Sequence, residues 1–286
     1  MPPPGSGGFQ GIPGACARTR VQIPLAKTVE FGERAAGAAR ARVPVVSVLV
    51  VTGTCTGVGK TIVTAALAAL AAARGSSVAV VKPAQTGVSP GEPGDLDVVR
   101  RLAGVDDLHE FARFPDALSP AAAARRAGLP PVALPEVAGR IRELAETRRL
   151  VLVEGAGGLL VRYDEEGTTV ADLARWLGAP AVVVTRPDLG TLNHTALTLE
   201  AMAHRGVQPA GVVIGEWPEK PDLAMRSNVP DLETISARPL AGAVPAGAGA
   251  LDPAEFLVAA HRALAPVFGG SFDPAAFRDA QGTAVP

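Results

Sequence analysis

The sequence predicts an α/β fold in which a mostly parallel sheet is covered by helices on both faces. Three observations predict it. Continuous apolar strands alternate with amphipathic helical stretches over most of the chain, and strands that are apolar throughout belong to sheets buried on both faces. A glycine-rich turn runs straight from the first strand into the first helix. The polar residues that stand out follow the strands, where ligands collect in such sheets.

The strand candidates are Val45–Val51, Val78–Val81, Leu150–Val153, Ala181–Thr185, Ala210–Ile214 and Leu240–Val244. The helix candidates are Thr61–Ala73, Asp95–Leu102, Pro120–Arg126, Pro135–Thr147, Val170–Leu177, Thr191–His204, Leu223–Ser227 and Ala254–Leu264. Residues 1–43 read differently. They carry Pro2-Pro3-Pro4, scattered glycines and five arginines against Glu30 and Glu33, and are expected to form a disordered or extended tail. They lack the apolar run of a secretory signal. One domain is expected over 44–266, with residues 267–286 as a loose C-terminal tail.

The first strand feeds Thr52-Gly53-Thr54-Cys55-Thr56-Gly57-Val58-Gly59-Lys60-Thr61. Strand, glycine loop, Lys-Thr and helix make the layout of a phosphate-binding loop, so the fold is P-loop NTPase-like. Glycines let the backbone wrap around phosphate oxygens, and the helix N-terminus adds partial positive charge there. Lys60 is placed to reach the β and γ phosphates, and the Thr61 hydroxyl to hold Mg²⁺. Five residues separate Gly53 from Gly59 where the commonest form of the motif has four.

Composition bounds the rest. The 286 residues are 48% hydrophobic and 19% charged, with net charge −1, which gives no pull toward nucleic acid or an anionic membrane. No apolar run approaches the ~20 residues needed to span a bilayer. Two cysteines, Cys16 and Cys55, make no disulfide framework, so the cytoplasm is expected. The only lysines are Lys27, Lys60, Lys82 and Lys220. Two of these four follow apolar strands, a placement that scarcity alone does not explain.

Lys82 closes the second strand. It is expected beside the phosphate loop because successive strands are usually neighbours, and two ammonium groups near one triphosphate suit phosphoryl transfer. Asp95 opens a helix, and its position fits an N-cap and a metal ligand equally. Glu154 ends the third apolar strand, the usual place of a carboxylate that binds or orients Mg²⁺. Asp188-Leu189-Gly190-Thr191-Leu192-Asn193-His194 leads into a helix whose free N–H groups suit an anion. His109, His194, His204 and His261 show no metal spacing.

In order along residues 45–265, these blocks resemble the dethiobiotin synthetase family. The resemblance rests on Val51 to Thr61, Lys82-Pro83-Ala84-Gln85-Thr86-Gly87, Asp95, Ser119-Pro120, Val153-Glu154-Gly155-Ala156-Gly157-Gly158 and Leu189-Gly190-Thr191-Leu192-Asn193-His194. The five-residue gap in the loop is normal for that family. The resemblance implies ATP- and Mg²⁺-dependent ring closure of 7,8-diaminopelargonate with CO₂, through a carbamate and a carbamic–phosphoric anhydride. It implies Lys82 and Lys60 as catalytic residues and Thr61, Asp95 and Glu154 as Mg²⁺ ligands.

By the same resemblance, Gly57, Val58, Gly59, Lys60, Thr61 and Ile62 take the phosphates, with Asp95, Glu154, Gly155, Ala156 and Gly157 nearby. Gly215, Glu216, Pro245, Ala246 and Gly247 line the base pocket. Thr56, Thr86 and Ser119 face the diamine. In a homodimer, the substrate carboxylate rests on the partner's Gly190, Thr191, Leu192 and Asn193. Many members carry Asn-Asp where this chain has Gly215-Glu216, so relaxed base selectivity is expected. The partners are small molecules, not nucleic acid or a membrane.

Other classes fit less well. A partitioning or cell-division switch ATPase needs a second lysine early in the loop, where Cys55 stands. A corrin-directed amidotransferase needs a glutaminase domain for which there is no room. A pure binding module has no use for Lys82 and Glu154 together.

Overall fold

A computed structural model describes residues 47–282; the expected N-terminal tail, 1–43, and residues 283–286 lie outside that part. Nine strands and nine α-helices alternate in the described residues. The first half runs β1 (Val48–Gly53), α1 (Lys60–Ala73), β2 (Val78–Lys82), β3 (Gln85–Thr86), α2 (Asp95–Ala103), β4 (Leu108–Glu110), β5 (Arg113–Phe114), α3 (Pro120–Ala127) and α4 (Leu134–Thr147). The second runs β6 (Leu150–Glu154), α5 (Val170–Leu177), β7 (Ala181–Thr185), α6 (Thr191–His204), β8 (Pro209–Trp217), α7 (Leu223–Ser236), β9 (Gly242–Pro245), α8 (Pro253–Ala263) and α9 (Pro274–Ala280).

Seven strands form one sheet in the order β4-β2-β6-β1-β7-β8-β9, and every neighbouring pair is parallel. β3 and β5 make a separate parallel pair. Alternate side chains of β1 supply the two faces. Val48 and Val50 pack with the helix residues Leu134, Ile141, Leu173 and Val229, while Leu49 and Val51 pack with Val63, Leu67, Val99 and Phe256. Period-two burial on both faces is why these strands read as continuous apolar runs.

The sheet order corrects one expectation. β2 is not beside β1, because β6 lies between them. The crossover through α1 skips one position, and the chain later returns through α3 and α4 to fill it. Glu154, at the end of β6, therefore stands between the phosphate loop and Lys82.

Two further elements differ from expectation. α7 runs through Pro230 to Ser236 instead of ending at Ser227. An interior proline costs a helix about 3 kcal/mol, but Val229 and Leu232 are fully buried on that helix, and each buried aliphatic side chain contributes roughly 1.5–3 kcal/mol. Residues 267–282 are not loose. A 3₁₀ turn spans Pro266–Phe268, α9 follows, and Phe268 and Phe272 are buried. Phe277 of α9 packs edge-on against Trp217 at the end of β8, with ring centroids 5.1 Å apart.

Candidate active site

The phosphate loop is held from below and from the side. The Thr54 N–H donates to the Val184 carbonyl at 2.9 Å, and Val58 is buried under the loop. Gly57 and Gly59 have φ of 71° and 91°, the left-handed region that favours glycine. A Cβ on Gly59 would stand 2.6 Å from the Gly215 carbonyl oxygen, so the loop turns tightly against the end of β8. Gly59 precedes α1 and offers no side-chain cap. The first N–H groups of α1 are thereby left for an anion.

Glu154 is the hub of the site. It is fully buried, and its Oε1 accepts from the Thr61 hydroxyl at 2.9 Å and from Lys82 Nζ at 2.7 Å. Lys82 Nζ also pairs with Asp95 at 2.5 Å. Lys60 Nζ donates to the Cys55 carbonyl at 3.0 Å. Thus α1, β2, β6 and α2 each deliver one member of a continuous polar chain.

The geometry sets aside the N-cap reading of Asp95. The N-cap position of α2 is Gly94, whose N–H donates to Asp97 at 2.8 Å. Asp95 instead turns its carboxylate to Lys82, and its own N–H donates to Gln85 Oε1 at 2.9 Å.

Electrostatics follow from this packing. Burial pulls the Lys82 ammonium down, but Glu154 and Asp95 outweigh it and hold its pKa above the ordinary lysine value. Burial pushes Asp95 up, but Lys82 outweighs it and leaves the carboxyl below its ordinary value. Lys60 is lowered, by burial first and then by Lys82. For stability the signs are opposite. The Lys82 contribution is whole below the ordinary lysine pKa of 10.5 and fades as pH climbs toward its folded value. The Asp95 contribution is whole above the ordinary 3.8 and fades as pH falls toward its folded value.

A cleft of about 610 Å³ opens on this chain. Lys60, Thr61, Lys82, Asp95 and Glu154 all line it. From the phosphate loop it also takes Thr56, Gly57, Gly59 and Ile62; opposite stand Thr86 and Ser119, with Ala156, Gly157 and Glu216 at its other walls. Val58, Gly155 and Gly215 lie behind this surface. Pro245, Ala246 and Gly247 are exposed, and their loop reaches α1 where a Cβ on Gly249 would meet Ile62. Gly190, Thr191, Leu192 and Asn193 are not part of the cleft wall; they open α6 elsewhere.

The donor set fits a divalent magnesium ion. Glu154 Oε2 is buried with no hydrogen-bond partner among the described residues, an acceptor that costs free energy unless something occupies it. The Thr61 hydroxyl and the Asp95 carboxylate add hard oxygen atoms. Among the described residues, no three His, Cys, Asp or Glu side chains gather as a metal cage, and Mg²⁺ beside phosphates typically needs only one or two carboxylates. Lys60 and Lys82 cancel Asp95 and Glu154 in charge, so a dication would add positive charge where the phosphates need it.

Sequence reasoning missed Tyr163, the chain's one tyrosine. It is fully buried, and its hydroxyl accepts from the Ala156 N–H at 2.7 Å, which pins the glycine-rich loop after Glu154. Its singleness was a signal; its position among polar loop residues hid its burial. Burial raises its pKa. Tyr163→Phe leaves a buried N–H unpaired and is expected to cost about 1–3 kcal/mol, read as a lower midpoint in urea unfolding. An unchanged midpoint would show the loop held without it.

Similarity to known proteins gives the family. A family model described as an AAA domain matches residues 47–251. The ATP-dependent dethiobiotin synthetase BioD of Parafrankia sp. (strain EAN1pec) is 65% identical over 232 residues, 81% of this chain and 98% of that protein. The chain belongs to the ATP-dependent dethiobiotin synthetase family. The Streptomyces coelicolor protein of the same name is 57% identical over 235 residues, 82% of this chain and 99% of its own length. The chain is thus an enzyme of a ligase family with a role in biotin synthesis, and the switch-ATPase alternative falls.

Proposed function

We propose that this cleft closes the ureido ring of dethiobiotin from 7,8-diaminopelargonate, CO₂ and a nucleoside triphosphate. One observation carries the reading: Thr61, Glu154, Lys82 and Asp95 are linked in one polar chain beside Lys60 in one cleft. An amine of the substrate adds to CO₂ and loses a proton, giving a carbamate. A carbamate oxygen attacks the γ-phosphorus, and the nucleoside diphosphate leaves. The second amine attacks the carbamate carbon of the mixed anhydride, and inorganic phosphate departs as the ring closes.

The residues answer the electrostatics of that path. A carbamate and a triphosphate repel each other, so fixed cations must offset the repulsion. Lys60 neutralises the transferring phosphoryl group, and Lys82 neutralises the carbamate and the charge that develops on its oxygen. Thr61, Asp95 and Glu154 would hold Mg²⁺, which supplies charge neutralisation and orientation of the phosphates. Thr56, Thr86 and Ser119 face the diamine. The phosphates lie on Gly57 to Ile62, with Gly155, Ala156 and Gly157 adjoining. In a homodimer of the cytoplasm, Gly190 to Asn193 of the partner take the substrate carboxylate at a helix start.

The base is held by backbone at Pro245, Ala246 and Gly247 with Gly215 and Glu216. Gly215 has no side chain to read a base edge, so base selectivity is relaxed. A phosphate-release assay with the diamine, bicarbonate, Mg²⁺ and ATP, CTP, GTP and UTP tests both points. Release is expected to require the diamine, with the four triphosphates within about tenfold in kcat/KM, less than the 1.4 kcal/mol that one hydrogen bond to a base could add. Release without the diamine refutes the synthetic reading, and a strict ATP requirement refutes relaxed selectivity.

A further inference from the structure

A buried hydroxyl network joins the phosphate loop to the start of α6, and the catalytic reading uses only Thr191 of it. Thr185 Oγ1, at the end of β7, lies 2.7 Å from Thr191 Oγ1, 3.0 Å from Thr195 Oγ1 and 3.4 Å from Thr54 Oγ1. Thr185 and Thr195 are fully buried, and Thr191 nearly so. Thr191 also donates to the Arg186 carbonyl at 2.6 Å.

Donor counting gives this network one direction. A hydroxyl has one proton and two acceptor sites. Thr191 spends its proton on the Arg186 carbonyl, so it accepts from Thr185. Thr185 then has no proton left and accepts from both Thr195 and Thr54. Its three sites are all used, two on α6 and one on the phosphate loop. The Arg186 side chain adds a second tie, with Nη2 donating to the Gly57 carbonyl at 3.4 Å. From the other side, Asn228 Nδ2 donates to the Pro187 carbonyl at 2.8 Å.

We propose that Thr185 is a positioning residue whose hydroxyl locks the phosphate loop to the start of α6. The spacing between the nucleotide subsite and that helix start is then fixed before either ligand arrives. The inference rests on the reading above, in which α6 opens on the substrate carboxylate. Since that carboxylate belongs to the partner's substrate, one hydroxyl orders parts of two active sites. Preorganised sites bind more tightly because ordering is not charged to binding.

The test is Thr185→Val in the full chain, which keeps shape and removes the proton and both acceptor sites. KM for the triphosphate and for the diamine are each expected to rise about five- to tenfold, the scale of one buried hydrogen bond, with kcat within about twofold. Thr185→Ser is expected to restore both. Thr64→Val makes the same change at a buried hydroxyl with no hydrogen-bond partner among the described residues, and both KM values are expected to stay unchanged. If Thr185→Val lowers only Tm and leaves both KM values alone, the hydroxyl is structural and the proposal is overturned. If Thr185→Val does not fold, Thr54→Val cuts only the loop side; a raised triphosphate KM supports the lock and an unchanged one overturns it. Calorimetric titration with ATP reads the loop side without turnover, so failure of diamine-dependent phosphate release in the unmodified chain remains a separate result.

Discussion

Lys82→Ala is expected to lower kcat on the order of 10²–10³, the usual effect of deleting one preorganised group that stabilises transition-state charge. Single-turnover phosphate release with saturating diamine and Mg²⁺ measures it. The structure adds a second effect that the sequence did not foretell. Lys82 is 3% exposed and is the partner of a fully buried Glu154. Removing one member of a buried ion pair costs about 3–5 kcal/mol, so a lower Tm accompanies the lost turnover. Lys82→Met restores the buried volume but leaves Glu154 as uncompensated as Lys82→Ala does, so only the packing share of the stability loss is regained and kcat stays low. Near-normal turnover in either variant removes Lys82 from the mechanism.

Gly215→Ala is expected to reduce kcat/KM on the order of 10² for every triphosphate alike. A Cβ at this position would lie 1.9 Å from the Val58 carbonyl oxygen and 2.6 Å from Val184. Neither neighbour is a flexible side-chain tip, so the phosphate loop itself must shift. A displacement near 1 Å in a catalytic site costs roughly 10²-fold. Gly139→Ala is the control. Nothing lies within 4 Å of a Cβ there, and in the interior of α4 the change is worth up to about 1 kcal/mol in favour of folding. If Gly215→Ala altered only the ranking of the bases, the crowding argument would be wrong. The same crowding means that an asparagine placed here disturbs the loop before it reads any base.

Much of this was legible in the chain. Five of the six core strands show as unbroken apolar runs because both faces of the sheet are covered, and the sixth, β9, starts later than its run suggests. Lys82 and Glu154 were legible because a charge at the end of an apolar strand has few structural uses, and Lys60 and Thr61 because they close the glycine loop; Asp95 stood even between a cap and a ligand until its contact with Lys82 was seen. What was not legible depends on spatial neighbours. β3, β4 and β5 have two or three residues each, too few to show a period. The insertion of β6 between β1 and β2 leaves no mark on local sequence, and so neither does the Lys82–Glu154 pair. α7 hid behind Pro230, since the burial of Val229 and Leu232 that offsets the proline is a tertiary fact. Thr185 reads as one more strand residue until its partners on α6 and on the phosphate loop are seen together.

The contact between Trp217 and Phe277 has a reach beyond packing. Trp217 follows Glu216 directly, so the ring that α9 covers is covalently next to a wall of the cleft. A displacement of Glu216 on loading is expected to reach an indole whose centroid lies 5.1 Å from that of the Phe277 ring. A change in Trp217 emission on nucleotide addition is the expected result, with Trp176 of α5 as the internal standard.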